Sequence, residues 1–263
     1  MIWVLIVFAL LQRERQLEAR LDAAEFRQGE TIRVLVTGMR EDCDLVFDGV
    51  PYPLYPVDSS RVCLIGIPPD FHTGTYDVML CEGAPWWTTT IRVEPAHYPQ
   101  QQITFPAAKL PLLKADITEE RRVIRRALKR ESDKRLWHAA FIWPVQGEIT
   151  SQFGARRNGG YHRGVDIAAE RGTVVRAPAG ADVSVVGNFP VHGKTVVLEH
   201  GQGISTVYCH LDTICVVEDQ IVDQSVIIGR IGDTGLATAP HLHWGMSVHN
   251  LRVDPLQWVK YEI

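Results

Sequence analysis

Tyr161-His162-Arg163-Gly164-Val165-Asp166-Ile167-Ala168 sets a histidine and an aspartate four residues apart at the head of a β-branched run. Fully extended, the two side chains share a face but stand about 13 Å apart, too far to hold one ion. Gly164 supplies the bend that brings them together. A second stretch, Pro240-His241-Leu242-His243, alternates so that both imidazoles leave a strand on one side and Leu242 on the other. In a third, Tyr208-Cys209-His210-Leu211, strand alternation sets Tyr208 and His210 on a common face.

Catalytic zinc takes three protein ligands, histidine and carboxylate among them, and leaves a fourth position open. His162, Asp166 and one of His241 and His243 make such a set. The other imidazole of that pair and His210 are then left as acid or base groups. Around these stretches the chain from Ile142 to Val248 reads as strands with glycine at their ends, and Gly172 to Gly187 loosely repeats as Gln220 to Gly235. The expected architecture is a compact antiparallel β domain with glycine-rich corners.

Taken together, His162-x-x-x-Asp166, Tyr208-x-His210-Leu211 and Pro240-His241-Leu242-His243 closely resemble the lysostaphin-like, LytM-type zinc endopeptidases that cut peptide cross-links of bacterial peptidoglycan. The flanking text is similar too: Ser151-Gln152-Phe153-Gly154, Gly164-Val165-Asp166-Ile167-Ala168, Ala177-Pro178-Ala179-Gly180, Gly232-Asp233-Thr234-Gly235 and Val253-Asp254-Pro255-Leu256. The resemblance runs from about Pro144 to Val259. It implies Zn2+ held by His162, Asp166 and His243, with His210 and His241 as catalytic histidines, a peptidoglycan peptide as substrate, and a place in the periplasm or cell envelope of a bacterium after export. The chain departs from the family pattern at Glu170, Ala239 and Met246, none of them among these five positions.

Ahead of this lies a different half. Thr31 to Val36, Asp44 to Phe47, Arg61 to Ile67, Thr75 to Leu80 and Thr88 to Val93 read as short strands, with clear alternation in the first and fourth. Their turn spacing predicts an immunoglobulin-like β-sandwich over residues 19–95, a candidate for positioning the enzyme or binding a regulatory partner in the cell envelope. Trp86 and Trp87 are either sandwich packing or an exposed contact pair. Residues 96–138 read as a Pro- and Gln-rich linker followed by one basic helix from Thr118 to Asp133, opened by Asp116 and Glu119. The helix either packs with its charges in solvent or meets an anionic polymer or membrane. Residues 139–263 form the LytM-type domain, and the whole chain is expected to be mainly β.

Residues 1–18 are a separate segment. Met1 to Leu11 is apolar but too short for a transmembrane span. It reads either as the apolar part of a secretion signal or as a buried first strand.

With 263 residues, 27 Lys and Arg against 31 Asp and Glu, and a net charge of -4, the chain is a mildly acidic globular protein of about two domains, not a general nucleic-acid binder. Its five cysteines contain no Cys-x-x-Cys, which excludes sulfur-rich zinc sites and thioredoxin-type chemistry. Cys63 and Cys81 are candidates for a disulfide if the protein is exported. The run ending Gly193-Lys194-Thr195 has the wrong spacing for a phosphate-binding loop, and His-Glu-x-x-His is absent. Two functions remain, an active peptidoglycan endopeptidase and a noncatalytic wall-binding or hydrolase-activating protein of the same fold. The complete set of five residues favours the enzyme.

Overall fold

The structure, a computed structural model, describes residues 18–38, 43–82, 84–157 and 160–260. The apolar opening, with both readings offered for it, lies outside the described residues. The described residues are mainly β, with few helices. In the N-terminal half one sheet runs in the order Glu18–Leu21, Thr31–Thr37, Ser60–Gly66, Tyr55–Val57, and a second in the order Glu25–Arg27, Ala84–Glu94, Gly74–Glu82, Asp44–Phe47, Val50–Tyr52. Alternation explains their packing. Ile32, Val34 and Val36 from the first sheet meet Leu45, Phe47, Val78, Leu80 and Ile91 from the second in a shared core, as half-buried strands require.

Ser60–Gly66 is buried on both faces, which is why Val62-Cys63-Leu64-Ile65 is continuously apolar. Cys63 and Ile65 face the sandwich core, while Val62 and Leu64 turn to a second cluster with Trp137, Phe141, Met246, Val248 and Trp258. The departure from the family pattern at Met246 is therefore a buried joint between the two halves. Gln257 ties the joint further, since its Oε1 accepts the Thr31 N–H at 2.6 Å and its Nε2 donates to the Thr31 carbonyl at 3.1 Å. Cys63 and Cys81 sit in different sheets, and no disulfide links any of the five cysteines, so that pairing is not formed. Trp87 packs against the sandwich core.

The C-terminal half is one large sheet whose main path runs Glu148–Ser151, Val165–Ala168, His241–Val248, Ile204–Ile214, Gly193–Gly201, Ala181–Phe189, Ile221–Val222. Val174–Arg176, Ile227–Ile231 and Leu251–Val253 pair beside it. Its core gathers Val165, Ile167, Val183, Leu198, Tyr208, Leu211, Leu242 and Trp244.

The helix forms at Thr118–Leu128, with Asp116 accepting the Thr118 N–H at 2.9 Å and acidic residues in the first turn where the helix dipole favours them. Ile124, Ala127 and Leu128 bury against Val185, Val197, Val207 and Cys209 of the large sheet, leaving its arginines in solvent. It ends five residues before the expected Asp133. The Ser132 carbonyl takes the Gln202 N–H at 2.6 Å and Leu136 donates to the His200 carbonyl at 2.9 Å, so the chain is pulled out of helical form to cross the Gly201 corner. The linker is also more ordered than its composition suggests. Ala107–Lys114 forms 3-10 turns, and Pro99 and Gln101 pair with the backbone of Arg156.

Candidate metal centre

Two paired strands assemble the site. In the register of Val165–Ala168 against His241–Val248, Asp166 stands opposite His243 and Ala168 opposite His241. His162 arrives from the short hairpin strand Gly160–Tyr161. Its Nε2 lies 3.0 Å from Asp166 Oδ1 and 3.0 Å from His243 Nδ1, and the last two atoms are 2.9 Å apart. The sequence assigns the close approach of His162 and Asp166 to a bend at Gly164. The structure gives that glycine a different necessity, because a Cβ there would stand 2.6 Å from the Trp244 carbonyl oxygen and 2.9 Å from the His243 ring.

Two imidazole nitrogens and one carboxylate oxygen are a donor set that zinc takes. On a tetrahedron with bonds of about 2.0–2.1 Å, donors stand roughly 3.4 Å apart, so the triad fits zinc after opening by a few tenths of an ångström. The surroundings orient each donor. His162 Nδ1 faces the Gln152 carbonyl at 2.9 Å, which leaves Nε2 for the centre. Arg157 donates to Asp166 Oδ2 at 2.7 Å and to Ser151 Oγ at 2.7 Å. Burial works against ionisation of Asp166, but its close contacts with the His162 and His243 rings outweigh it and hold the carboxyl well below the usual carboxylate range. Burial pulls His243 down to about 4, partly opposed by its bond to Asp166, so the ring is neutral, as a ligand must be.

His210 and His241 flank the triad, their rings 4.8 Å apart, with His210 6.2 Å from the His243 ring. Simple alternation fails at His210. Val196 faces Tyr208 but Lys194 faces Leu211, so Cys209 and His210 together oppose Thr195, and His210 takes φ +62°. Such a bulge re-aims a side chain. Tyr208 and Leu211 thus both enter the core, and His210 does not share Tyr208's face as expected. Tyr208 is fully buried with its hydroxyl 2.8 Å from Thr206 Oγ1. Tyr161 packs edge-on against Tyr98. His210 donates Nδ1–H to the Thr234 carbonyl at 2.8 Å, and His241 donates Nδ1–H to the Ala239 carbonyl at 2.7 Å. Each Nε2 is left with a lone pair. Burial, then the neighbouring His241 and His243, push the His210 pKa well below its ordinary value.

Asp166, His210, His241 and His243 open onto a groove of about 370 Å³, with His162 buried behind them. The groove lining includes Thr238, Ala239 and Pro240 and, as a wall drawn from the linker, Gln101 to Phe105. Gln101 Oε1 accepts from Ser151 Oγ at 2.7 Å and Arg157 Nε at 3.1 Å, and Lys109 Nζ donates to the carbonyls of Asp233 and Gly235 at 2.6 and 2.7 Å. Sequence reasoning passes over Gln101, Arg157 and Lys109. Only Thr234 carries a local signal, inside Gly232-Asp233-Thr234-Gly235.

Residues 160–255 match the model of Peptidase family M23. Among curated relatives, the DD-carboxypeptidase/endopeptidase Mpg of Neisseria meningitidis is 34% identical over 117 residues, 43% of this chain and 27% of that protein. The murein hydrolase activator NlpD of Salmonella dublin is 30% identical over 122 residues, 46% of this chain and 32% of that protein. The chain thus spans about a third or less of the length of these relatives. A crystal structure of a peptidase M23 from Pseudomonas aeruginosa superposes with a TM-score of 0.68 at 26% identity, covering 88% of this chain and 94% of that one, so the likeness takes in both halves.

Proposed function

We propose that this chain, whose C-terminal half carries a lysostaphin-like domain of Peptidase family M23, is a zinc endopeptidase that hydrolyses the peptide cross-links of bacterial peptidoglycan. The observation that carries the reading is the convergence of His162, Asp166 and His243 within 3.0 Å of one another beside two further histidines in an open groove.

His162, Asp166 and His243 would hold Zn2+, which supplies Lewis-acid polarisation of the scissile carbonyl and acidifies a water at neutral pH. The remaining work belongs to the chain. His210, kept neutral by burial and locked in one tautomer by Thr234, presents Nε2 as a proton acceptor. His241, tethered through Nδ1 to Ala239, presents the second Nε2. One of them takes the proton of the attacking water and returns it to the leaving amine. The other, when protonated, donates to the developing oxyanion. The linker wall supplies Gln101 to Phe105 as contacts for a peptide lying along the groove. We read residues 19–95 as an immunoglobulin-like sandwich that positions this site in the periplasm or cell envelope.

The likeness to a murein hydrolase activator favours a second reading, a noncatalytic protein that binds the wall or activates another hydrolase. Digestion of purified sacculi separates the two. The enzyme releases cross-linked muropeptides as monomers, fails in a chelator, recovers with added zinc, and loses at least a hundredfold in rate in His210→Ala while keeping one zinc per chain. Intact sacculi after treatment with zinc-loaded protein would reject the enzyme and leave the activator.

A further inference from the structure

The helix Thr118–Leu128 turns its charged residues to solvent except at Glu120, which is 2% exposed. Its Oε2 accepts the Val191 N–H at 3.0 Å, and its Oε1 accepts the His192 N–H at 3.0 Å and meets the Nδ1 of the His192 ring. A buried carboxylate with this many donors is a clamp, and it closes on the turn between strands Ala181–Phe189 and Gly193–Gly201. That turn borders the site. The His192 carbonyl accepts the His210 N–H at 2.9 Å, and the Val191 carbonyl accepts the Leu236 N–H at 2.8 Å. Gly193 lies so close to Thr234 that a Cβ on it would meet Thr234 backbone at 2.4 Å. Thr234 supplies the carbonyl that fixes the His210 tautomer, and its Oγ1 accepts the Lys194 N–H at 2.9 Å and donates to the Leu211 carbonyl at 2.7 Å.

His210 sits in a bulge with φ +62°, a conformation that non-glycine residues hold only when their surroundings over-determine it. Its backbone N–H and its ring Nδ1–H are both held by groups resting on the turn that Glu120 ties down. His162, Asp166 and His243 stand on other strands and take no hydrogen bond from this turn. His192 is the link.

We infer that Glu120 is a positioning residue, acting from the basic helix through the Val191–His192 turn to hold His210 in its working orientation. The inference rests on the endopeptidase reading for its kinetic consequence, and on the hydrogen-bond chain alone for its structural one. Displacement of a catalytic group by about 1 Å can cost on the order of a hundredfold in rate.

The test uses the full chain, zinc-loaded, on a soluble cross-linked muropeptide dimer. Glu120→Ala is expected to lower kcat ten- to a hundredfold with KM within twofold and one zinc per chain retained. Glu120→Gln keeps a side-chain carbonyl for one backbone N–H and is expected to fall only two- to fivefold below wild type in kcat. If Glu120→Ala does not fold, Glu120→Gln still shows its loss in kcat alone. Unchanged kcat in either folded variant, or a fall in kcat matched by lost zinc, would overturn the inference. A second readout is independent of turnover. In 15N-imidazole spectra, assigned with His210→Ala, the His210 ring signals move in Glu120→Ala while those of His162 stay in place. If the wild type does not cut the dimer, the endopeptidase reading falls, and unchanged His210 signals would then overturn the positioning role as well.

Discussion

Replacing Gly164 by alanine adds a single methyl group at the point where two strands meet behind the ligand triad. The new Cβ would stand 2.6 Å from the Trp244 carbonyl oxygen, a backbone atom, and 2.9 Å from two atoms of the His243 ring. Neither distance is tolerable. The Val165–Trp244 pair must separate or the ring must tilt. Overpacking of this kind costs about 1–3 kcal/mol. For a chain of this size 1 kcal/mol moves Tm by roughly 2–4 °C, so a fall of about 4–8 °C is expected near the middle of that range. The fold cost is read from melts in excess chelator, where metal does not contribute. Tilting His243 disturbs one of three donors, and zinc affinity, measured by competition with a chromophoric chelator, is expected to weaken ten- to a hundredfold, as when the support of a metal ligand is lost. Gly160 supplies the control, because a Cβ there meets nothing within 4 Å. Equal behaviour of Gly164→Ala and Gly160→Ala, or wild-type zinc affinity in Gly164→Ala, would refute the packing argument.

Two further outcomes concern stability. His200 is fully buried, with Nδ1 donating to the Gly180 carbonyl and Nε2 against Thr206 Oγ1, each at 2.8 Å, and burial lowers its pKa to about 4. The neutral ring is the form the fold keeps. Its contribution is therefore fully present above pH 6.5 and drains away as pH falls toward 4, by about 3 kcal/mol. Urea denaturation at pH 7 and pH 4.5 should show the advantage of wild type over His200→Asn shrinking with acid, and a constant difference would contradict this. Trp258 is 2% exposed, packs edge-on against Trp137 and Phe141, and donates Nε1–H to Thr31 Oγ1 at 3.2 Å. Trp258→Ala should cost about 3–5 kcal/mol and weaken the joint between the halves, visible as earlier proteolysis near residues 20–60. A melt within 2 °C of wild type would show that the joint does not depend on this residue.

Period and spacing make a good part of this molecule legible in advance. The five strands read from the N-terminal half all form, each long enough to show which face it buries. Glu25–Arg27, Val50–Tyr52 and Tyr55–Val57 escape notice because three residues carry too little alternation to announce a strand. The bulge at His210 is invisible for a related reason, since the extra residue exists only relative to the Gly193–Gly201 partner. The convergence of His162, Asp166 and His243 is foreshadowed by their residue types and flanking glycines. The groups that support them are not, because Gln101 reaches Ser151 across 50 residues and Glu120 reaches His192 across 72. No local pattern records a contact of that range. Helix propensity likewise carries on past Leu128, where the Gly201 corner takes the chain away.

The linker wall bears on how this chain could be recombined. A fusion that joins residues 139–260 to a foreign targeting module would inherit the three ligands and both flanking histidines, and leave behind Gln101 to Phe105, the Lys109 tether and Glu120. Such a chimera receives a groove open along one side and a His210 turn without its clamp. The contacts that complete the groove begin near Pro99, where the chain joins the backbone of Arg156, well upstream of the segment that family likeness marks out.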